Sequence, residues 1–298
     1  MTLTSHMSFI LRRSISTGVG AAVGRAGSVS LNYSHTATKS ASPKTPLVII
    51  HGLLGSATNW RSLSKALASR GERDVYAVDA RNHGGSPHVE AMGSPELASD
   101  LLAFVDELPT DSAILVGHSM GGKAVMQAAL EDGDSLAGVV VVDMAPREYN
   151  LSVHSEVGRY VSTMAEMDIG SFARRSDVDA ALAEVATDPT IRAFLMTNAV
   201  GKGNDRGDPL RWKANLPVLA RSMGNLGAPI VSSHVFSGPL LSIYGRNSGY
   251  VDQAGKDATR ALFPNAEFAS VDAGHWLHAE QPTVFVDSLL SFFDSHNI

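Results

Sequence analysis

The chain has 298 residues, 44% hydrophobic and 18% charged, with 27 glycines and 13 prolines; this suits a globular core and excludes collagen-like, low-complexity and disordered classes. It has no cysteine, which excludes disulfide frameworks, zinc–thiolate sites, iron–sulfur clusters and a cysteine nucleophile. A formal net charge of −6 offers no cationic face for phosphate backbones, so nucleic acid is not an expected partner.

The charge is unevenly spread. Residues 1–45 hold Arg12, Arg13, Arg25, Lys39 and Lys44 but no acid, the first acid being Glu72, so this stretch carries +5 and the remainder −11. With its Ser, Thr, Gly and Ala content and the apolar Phe9, Ile10 and Leu11 beside Arg12 and Arg13, it reads as a mitochondrial targeting segment over residues 1–40, and matrix residence is expected. A secretory signal fits less well, because Met7 to Leu11 is too short for its apolar core. No run of about 18 apolar residues is present for a membrane span.

From residue 46 onward, short β-branched runs alternate with segments of helical period, the pattern of an α/β fold with a mostly parallel sheet and crossover helices. Leu47–Ile50 is the first expected strand, followed by the loop His51-Gly52-Leu53-Leu54-Gly55. Val75–Val78 is the second, and a helix is expected from Ser94-Pro95-Glu96 through Val105. The third, Ala113–Val116, runs into Gly117-His118-Ser119-Met120-Gly121-Gly122 and then a helix from Met120 to Leu130. Val139–Val142 comes next, ending at Asp143. Some ninety residues then show helical patches around Tyr160, Met164, Leu182, Phe194 and Leu216 but no clear strand. A helical insertion at about 147–236, after a parallel strand, is expected to cap a pocket. Leu240–Tyr244, Phe268–Val271 and a helix from Gln281-Pro282 to Phe293 close the domain, which is placed at 41–298.

The chemistry is carried by three loops. G-x-S-x-G between a strand and a helix places Ser119 on a tight turn, where small neighbours let the hydroxyl project and helix N–H groups face developing negative charge. Gly274-His275-Trp276 follows the last strand, where a histidine can take the Ser119 proton and return it to the leaving group. The Leu53 N–H can converge with the Met120 N–H on a carbonyl oxygen, a pair of oxyanion donors. His51, Gly52, Leu54, His118 and Trp276 flank these groups and are expected at the substrate site; for His51 and His118 hydrogen bonds to backbone are also expected, and for His278 a structural role.

These elements, from Pro46 to Phe293, resemble the α/β-hydrolase superfamily. Its triad acid usually lies in G-x-x-D-x-x-V after the penultimate strand, but here that stretch reads Gly245-Arg246-Asn247-Ser248-Gly249-Tyr250-Val251. Ser248 cannot bear the charge that stabilises an imidazolium, and its replacement by alanine is expected to be near neutral. Asp143, one strand earlier, is the expected acid; Asp252 is the alternative, and Asp272 stands too close to the histidine.

The motifs His51-Gly52-Leu53-Leu54-Gly55-Ser56, Asp79-Ala80-Arg81-Asn82-His83-Gly84, Gly117–Lys123, Asp143-Met144-Ala145-Pro146 and Gly274–Glu280 are similar to the subgroup of mitochondrial α/β-hydrolase domain-containing protein 11 and small bacterial esterases. In that subgroup the acid follows the earlier strand. The resemblance implies a cofactor-free, metal-free serine hydrolase of acyl esters, with thioester or acylglycerol hydrolysis as an alternative. It also implies a second alternative, a binding role toward a mitochondrial protein partner such as a 2-oxo acid dehydrogenase complex.

Overall fold

The computed structural model describes residues 25–298 except 204 and 205. The first 24 residues, most of the segment read as a targeting leader, lie outside the described residues. The elements run β1 (Tyr33–Thr36), β2 (Lys44–Ile50), α1 (Arg61–Gly71), β3 (Arg73–Val78), α2 (Ser94–Asp106), β4 (Ala113–His118), α3 (Met120–Glu131) and β5 (Leu136–Val142). The insertion follows, with α4 (Glu156–Glu166), α5 (Arg175–Leu182), α6 (Pro189–Leu195), the short strands β6 (Ala199–Val200) and β7 (Arg211–Trp212), and α7 (Leu216–Gly227). The chain ends with β8 (Leu240–Gly245), α8 (Gln253–Leu262), β9 (Ala266–Val271), α9 (Leu277–Glu280) and α10 (Pro282–Ser295).

Seven strands form one sheet in the order β1-β3-β2-β4-β5-β8-β9, parallel except for β1. The central strands read as unbroken apolar runs because both faces are covered. Val48, Ile50, Leu115, Val139 and Val141 face α2 and α3, whereas Leu47, Ile49, Ile114, Val116, Val140 and Val142 face α1 and α10. Among the described residues no helix is long and apolar enough to cross a membrane.

The first of these two cores continues without a break into the insertion through Val161, Met164, Val178, Leu182 and Leu219. Polar bonds add to that seam. Asn215 lends its Nδ2 to the Asn82 side-chain oxygen at 3.0 Å, and its main-chain N–H to the Asn82 carbonyl at 2.9 Å. The buried Lys123 of α3 donates to the Gly227 and Ala228 carbonyls at 2.9 and 2.5 Å, at the end of α7.

β1 departs from the expectation of a leader running to residue 40. It is four exposed or half-exposed residues with no apolar run, so nothing in its pattern marks a strand, yet it pairs with β3 through backbone. The stretch before it is also anchored. The Gly27 carbonyl accepts from Arg81 at 2.9 Å, the Val29 N–H donates to Asp100 at 2.7 Å, and Asn32 donates to Asp79 at 2.7 Å. Arg25 pairs with Asp106 and Asp132. Among the described residues, contacts with the domain therefore start at Arg25, ahead of the expected boundary at residue 41.

Candidate active site

Ser119 is the residue between β4 and α3, and its backbone is strained: φ is 55° and ψ −115°, a conformation that L side chains rarely adopt. The turn is so tight that its glycines have no room for a side chain. A Cβ on Gly117 would lie 2.1 Å from the Gly121 carbonyl oxygen, and one on Gly121 would lie 2.6 Å from that of Ile50. The Ser119 N–H is tied to the Val142 carbonyl at 3.0 Å, which docks the elbow on the neighbouring strand. Met120, the first residue of α3, keeps an N–H without an intrahelical acceptor.

Asp143 ends β5, fully buried and at φ 51°, with its N–H on the Ile243 carbonyl at 2.9 Å. Its Oδ2 receives the His275 Nδ1–H at 2.6 Å, which leaves the His275 Nε2 as the acceptor nitrogen. Two further donors complete the carboxylate. The Gly245 N–H reaches Oδ1 at 3.1 Å, and the Ser248 hydroxyl reaches Oδ2. Ser248, at the superfamily's usual acid position, thus donates to Asp143, a bond that the sequence did not suggest. The alternative acids are engaged elsewhere: Asp252 caps α8 through the Gly255 N–H at 2.8 Å, and Asp272 accepts from Asn247 at 3.2 Å.

Aromatic rings enclose His275. Tyr250 stacks on it at 4.0 Å between centroids, and Tyr149 stacks on Tyr250 at 5.4 Å while donating its hydroxyl to the Tyr250 carbonyl at 2.7 Å. Burial first, then the charges of Asp143 and Glu156, pushes the Tyr250 phenol above its ordinary pKa. His118 donates Nε2–H to the His275 carbonyl at 3.0 Å, and His278 stacks on Trp60 at 4.5 Å. Burial holds both imidazoles neutral, His278 down to about 3 and His118 well below the usual range.

The loop after β2 is held peptide by peptide. His51 donates Nδ1–H to the Gly52 carbonyl at 2.7 Å while its Nε2 accepts from the Ala80 N–H at 3.1 Å, so both ring nitrogens serve the backbone. The Gly55 N–H also reaches Gly52 O, at 3.0 Å. Because the Gly52–Leu53 peptide is trans, fixing its carbonyl in this way points the Leu53 N–H in the opposite direction. Leu54 follows at φ 60° with its N–H on His83 Nε2 at 3.1 Å. Burial, and next the field of His51, pushes the His83 pKa down to about 3, which keeps that nitrogen an acceptor.

These groups meet in one cavity of about 230 Å³. Ser119, His275, Leu53 and Met120 line it together with the flanking His51, Gly52, Leu54, His118 and Trp276. The insertion contributes Tyr160 from α4, Ile191, Phe194 and Leu195 from α6, and Leu226 from α7, so the wall is mainly apolar. Tyr250, Ser248, Lys123 and Asn198 were not singled out from sequence as parts of the site. Only the unusual Ser248 in an otherwise familiar motif could have drawn attention to its surroundings.

Comparison with known proteins agrees with this architecture. A family model described as the alpha/beta hydrolase fold matches residues 45–282. The chain is 37% identical to mouse (Mus musculus) sn-1-specific diacylglycerol lipase ABHD11 over 251 residues, 83% of this chain and 80% of that protein. It is 31% identical to the Escherichia coli esterase YbfF, over 84% of this chain and 93% of that protein. A solved marine microorganism esterase superposes with a TM-score of 0.81 at 30% identity, covering 89% of this chain and 100% of that one. The chain belongs to the α/β-hydrolase family, in a subgroup with small bacterial esterases.

Proposed function

We propose that the chain hydrolyses acyl esters through a Ser119–His275–Asp143 triad and an acyl-enzyme. At the level of class it is a carboxylic ester hydrolase, as its esterase and lipase relatives are. The observation that carries the finer reading is the 2.6 Å bond from His275 Nδ1 to the buried Asp143, in the cavity that also holds the strained Ser119. His275 Nε2 removes the Ser119 proton as Oγ attacks the ester carbonyl, and Asp143 stabilises the imidazolium that forms. The Leu53 and Met120 N–H groups receive the oxyanion. Collapse expels the alcohol with the proton from His275; water, deprotonated by the same nitrogen, then releases the acid and restores Ser119.

The mainly apolar wall favours an acyl chain, and the lipase among the relatives makes acylglycerols the first natural esters to assay. The test is hydrolysis of p-nitrophenyl esters from acetate to dodecanoate by the full chain, beside Ser119→Ala. Turnover by the wild type and its loss in the variant are expected; turnover that survives in Ser119→Ala rejects the mechanism. Mitochondrial residence is proposed on the acid-free basic character of residues 1–45. A reporter fused behind these residues should enter mitochondria, and one left in the cytosol overturns this.

A further inference from the structure

We propose that Asn198, carried by the insertion, is a positioning residue for the oxyanion hole: its hold on the Leu54 carbonyl makes the placement of the Leu53 N–H depend on how the insertion is seated. The inference rests on the serine-hydrolase reading above. Leu54 sits at φ 60° without being glycine. A conformation of this kind is costly for a residue with a Cβ and persists only where neighbours over-determine it.

Two side chains do so here, from distant parts of the chain. His83, in the loop after β3, accepts the Leu54 N–H at 3.1 Å, and Asn198 donates Nδ2–H to the Leu54 carbonyl at 2.7 Å. Both are buried, Asn198 to 3% exposure. The two peptide groups of Leu54 are thereby pinned, and with them the C-terminal end of the turn whose other end is the Gly52 carbonyl. Leu53 lies between these two anchors.

Asn198 is itself held by the insertion. Its carbonyl accepts the Lys213 N–H at 2.8 Å, and it lies in the short 3-10 turn, Met196–Asn198, that directly follows α6. That helix supplies Ile191, Phe194 and Leu195 to the cavity wall. An acyl chain in the cavity therefore packs against the element that ends in the Asn198 hydrogen bond. The insertion thus does more than cover the pocket: it supplies one of the anchors of the turn that carries the Leu53 N–H.

Asn198→Ala and Asn198→Asp decide the matter in the full chain with p-nitrophenyl butyrate. The aspartate keeps the shape but faces the Leu54 carbonyl with oxygen instead of N–H, so it reads the same bond if the alanine variant does not fold. A small displacement of one oxyanion donor should lower kcat about tenfold to a hundredfold while KM stays within about twofold. Affinity for a trifluoromethyl ketone, whose adduct with Ser119 places an oxyanion in the hole, should fall by the same factor as kcat. Affinity for the uncharged amide of the same acyl chain should not change. An unchanged kcat, or equal weakening of ketone and amide, overturns the inference. Ser119→Ala run alongside separates the two readings. Turnover absent in the wild type or retained in Ser119→Ala removes the serine mechanism and this inference with it. Turnover lost in Ser119→Ala but untouched by both Asn198 variants removes the inference alone.

Discussion

The buried Asp143 carboxylate has three donors, from His275, Gly245 and Ser248, and each has a different consequence when removed. Asp143→Asn leaves the packing intact but presents an amide to His275 Nδ1 and disfavours the productive tautomer. A fall in kcat of about 10⁴ is expected, read by steady-state hydrolysis. Ser248→Ala removes one donor to a charged group, and kcat should fall by about tenfold. An unchanged kcat would return Ser248→Ala to the near-neutral effect expected from the sequence. Ser119, His275 and the loop after β2 could be picked out as candidates because the proposed chemistry needs a local pattern: small residues around a nucleophile, a histidine after a strand, glycines in a loop. The Ser248 bond was not, since it joins residues 105 positions apart.

Among the elements, α3 does two jobs: its N-terminus places Met120 beside Ser119, and Lys123 at the end of its first turn reaches the end of α7. The ammonium meets the Gly227 and Ala228 carbonyls, near the negative end of the α7 dipole, over the face of Tyr149 at 5.1 Å. Burial lowers the Lys123 pKa to about 8. Lys123→Met keeps the length of the side chain but leaves those carbonyls without their donor. A loss of about 1 to 3 kcal/mol is expected in urea unfolding, and an unchanged midpoint would show that water replaces the ammonium at no cost. Helix α6 matters in two ways, lining the cavity with Ile191, Phe194 and Leu195 and ending in the turn that carries Asn198.

For the molecule as a whole, the pattern of buried histidines predicts acid sensitivity. His51, His83, His118 and His278 all have folded pKa values below the ordinary 6.5, with burial as the first cause, His83 and His278 at about 3. Above the unfolded value these histidines are neutral in both states and carry no penalty. As pH falls below about 6.5 the unfolded chain takes up protons that the folded chain refuses, so stability should decline from there toward about pH 3. Urea midpoints measured across this range should fall steadily, and a flat profile down to pH 4 would contradict the burial described. The N-terminal boundary is testable at the same scale. A chain starting at Arg25 keeps every contact described above, whereas one starting at residue 41 loses β1 and one partner each of Arg81, Asp100 and Asp79. The shorter chain should melt at a lower temperature, and equal melting would show that β1 contributes nothing.

What the sequence determined by itself was the class of fold and the residues proposed for the chemistry. Six core strands, the helical insertion and the candidates Ser119, His275 and Asp143 were readable because hydrophobic period, turn chemistry and motif spacing are local properties. Tertiary structure decided the rest. β1 is held by backbone pairing with β3 and by the packing of Tyr33 and His35 on Tyr76, Ser248 acquires its partner only when β8 lies beside β5, and Asn198 meets Leu54 only when the insertion folds back over the sheet. These are contacts between segments far apart in the chain, made by polar groups whose residue types carry no period, and they come into being only with the packing of the elements around them.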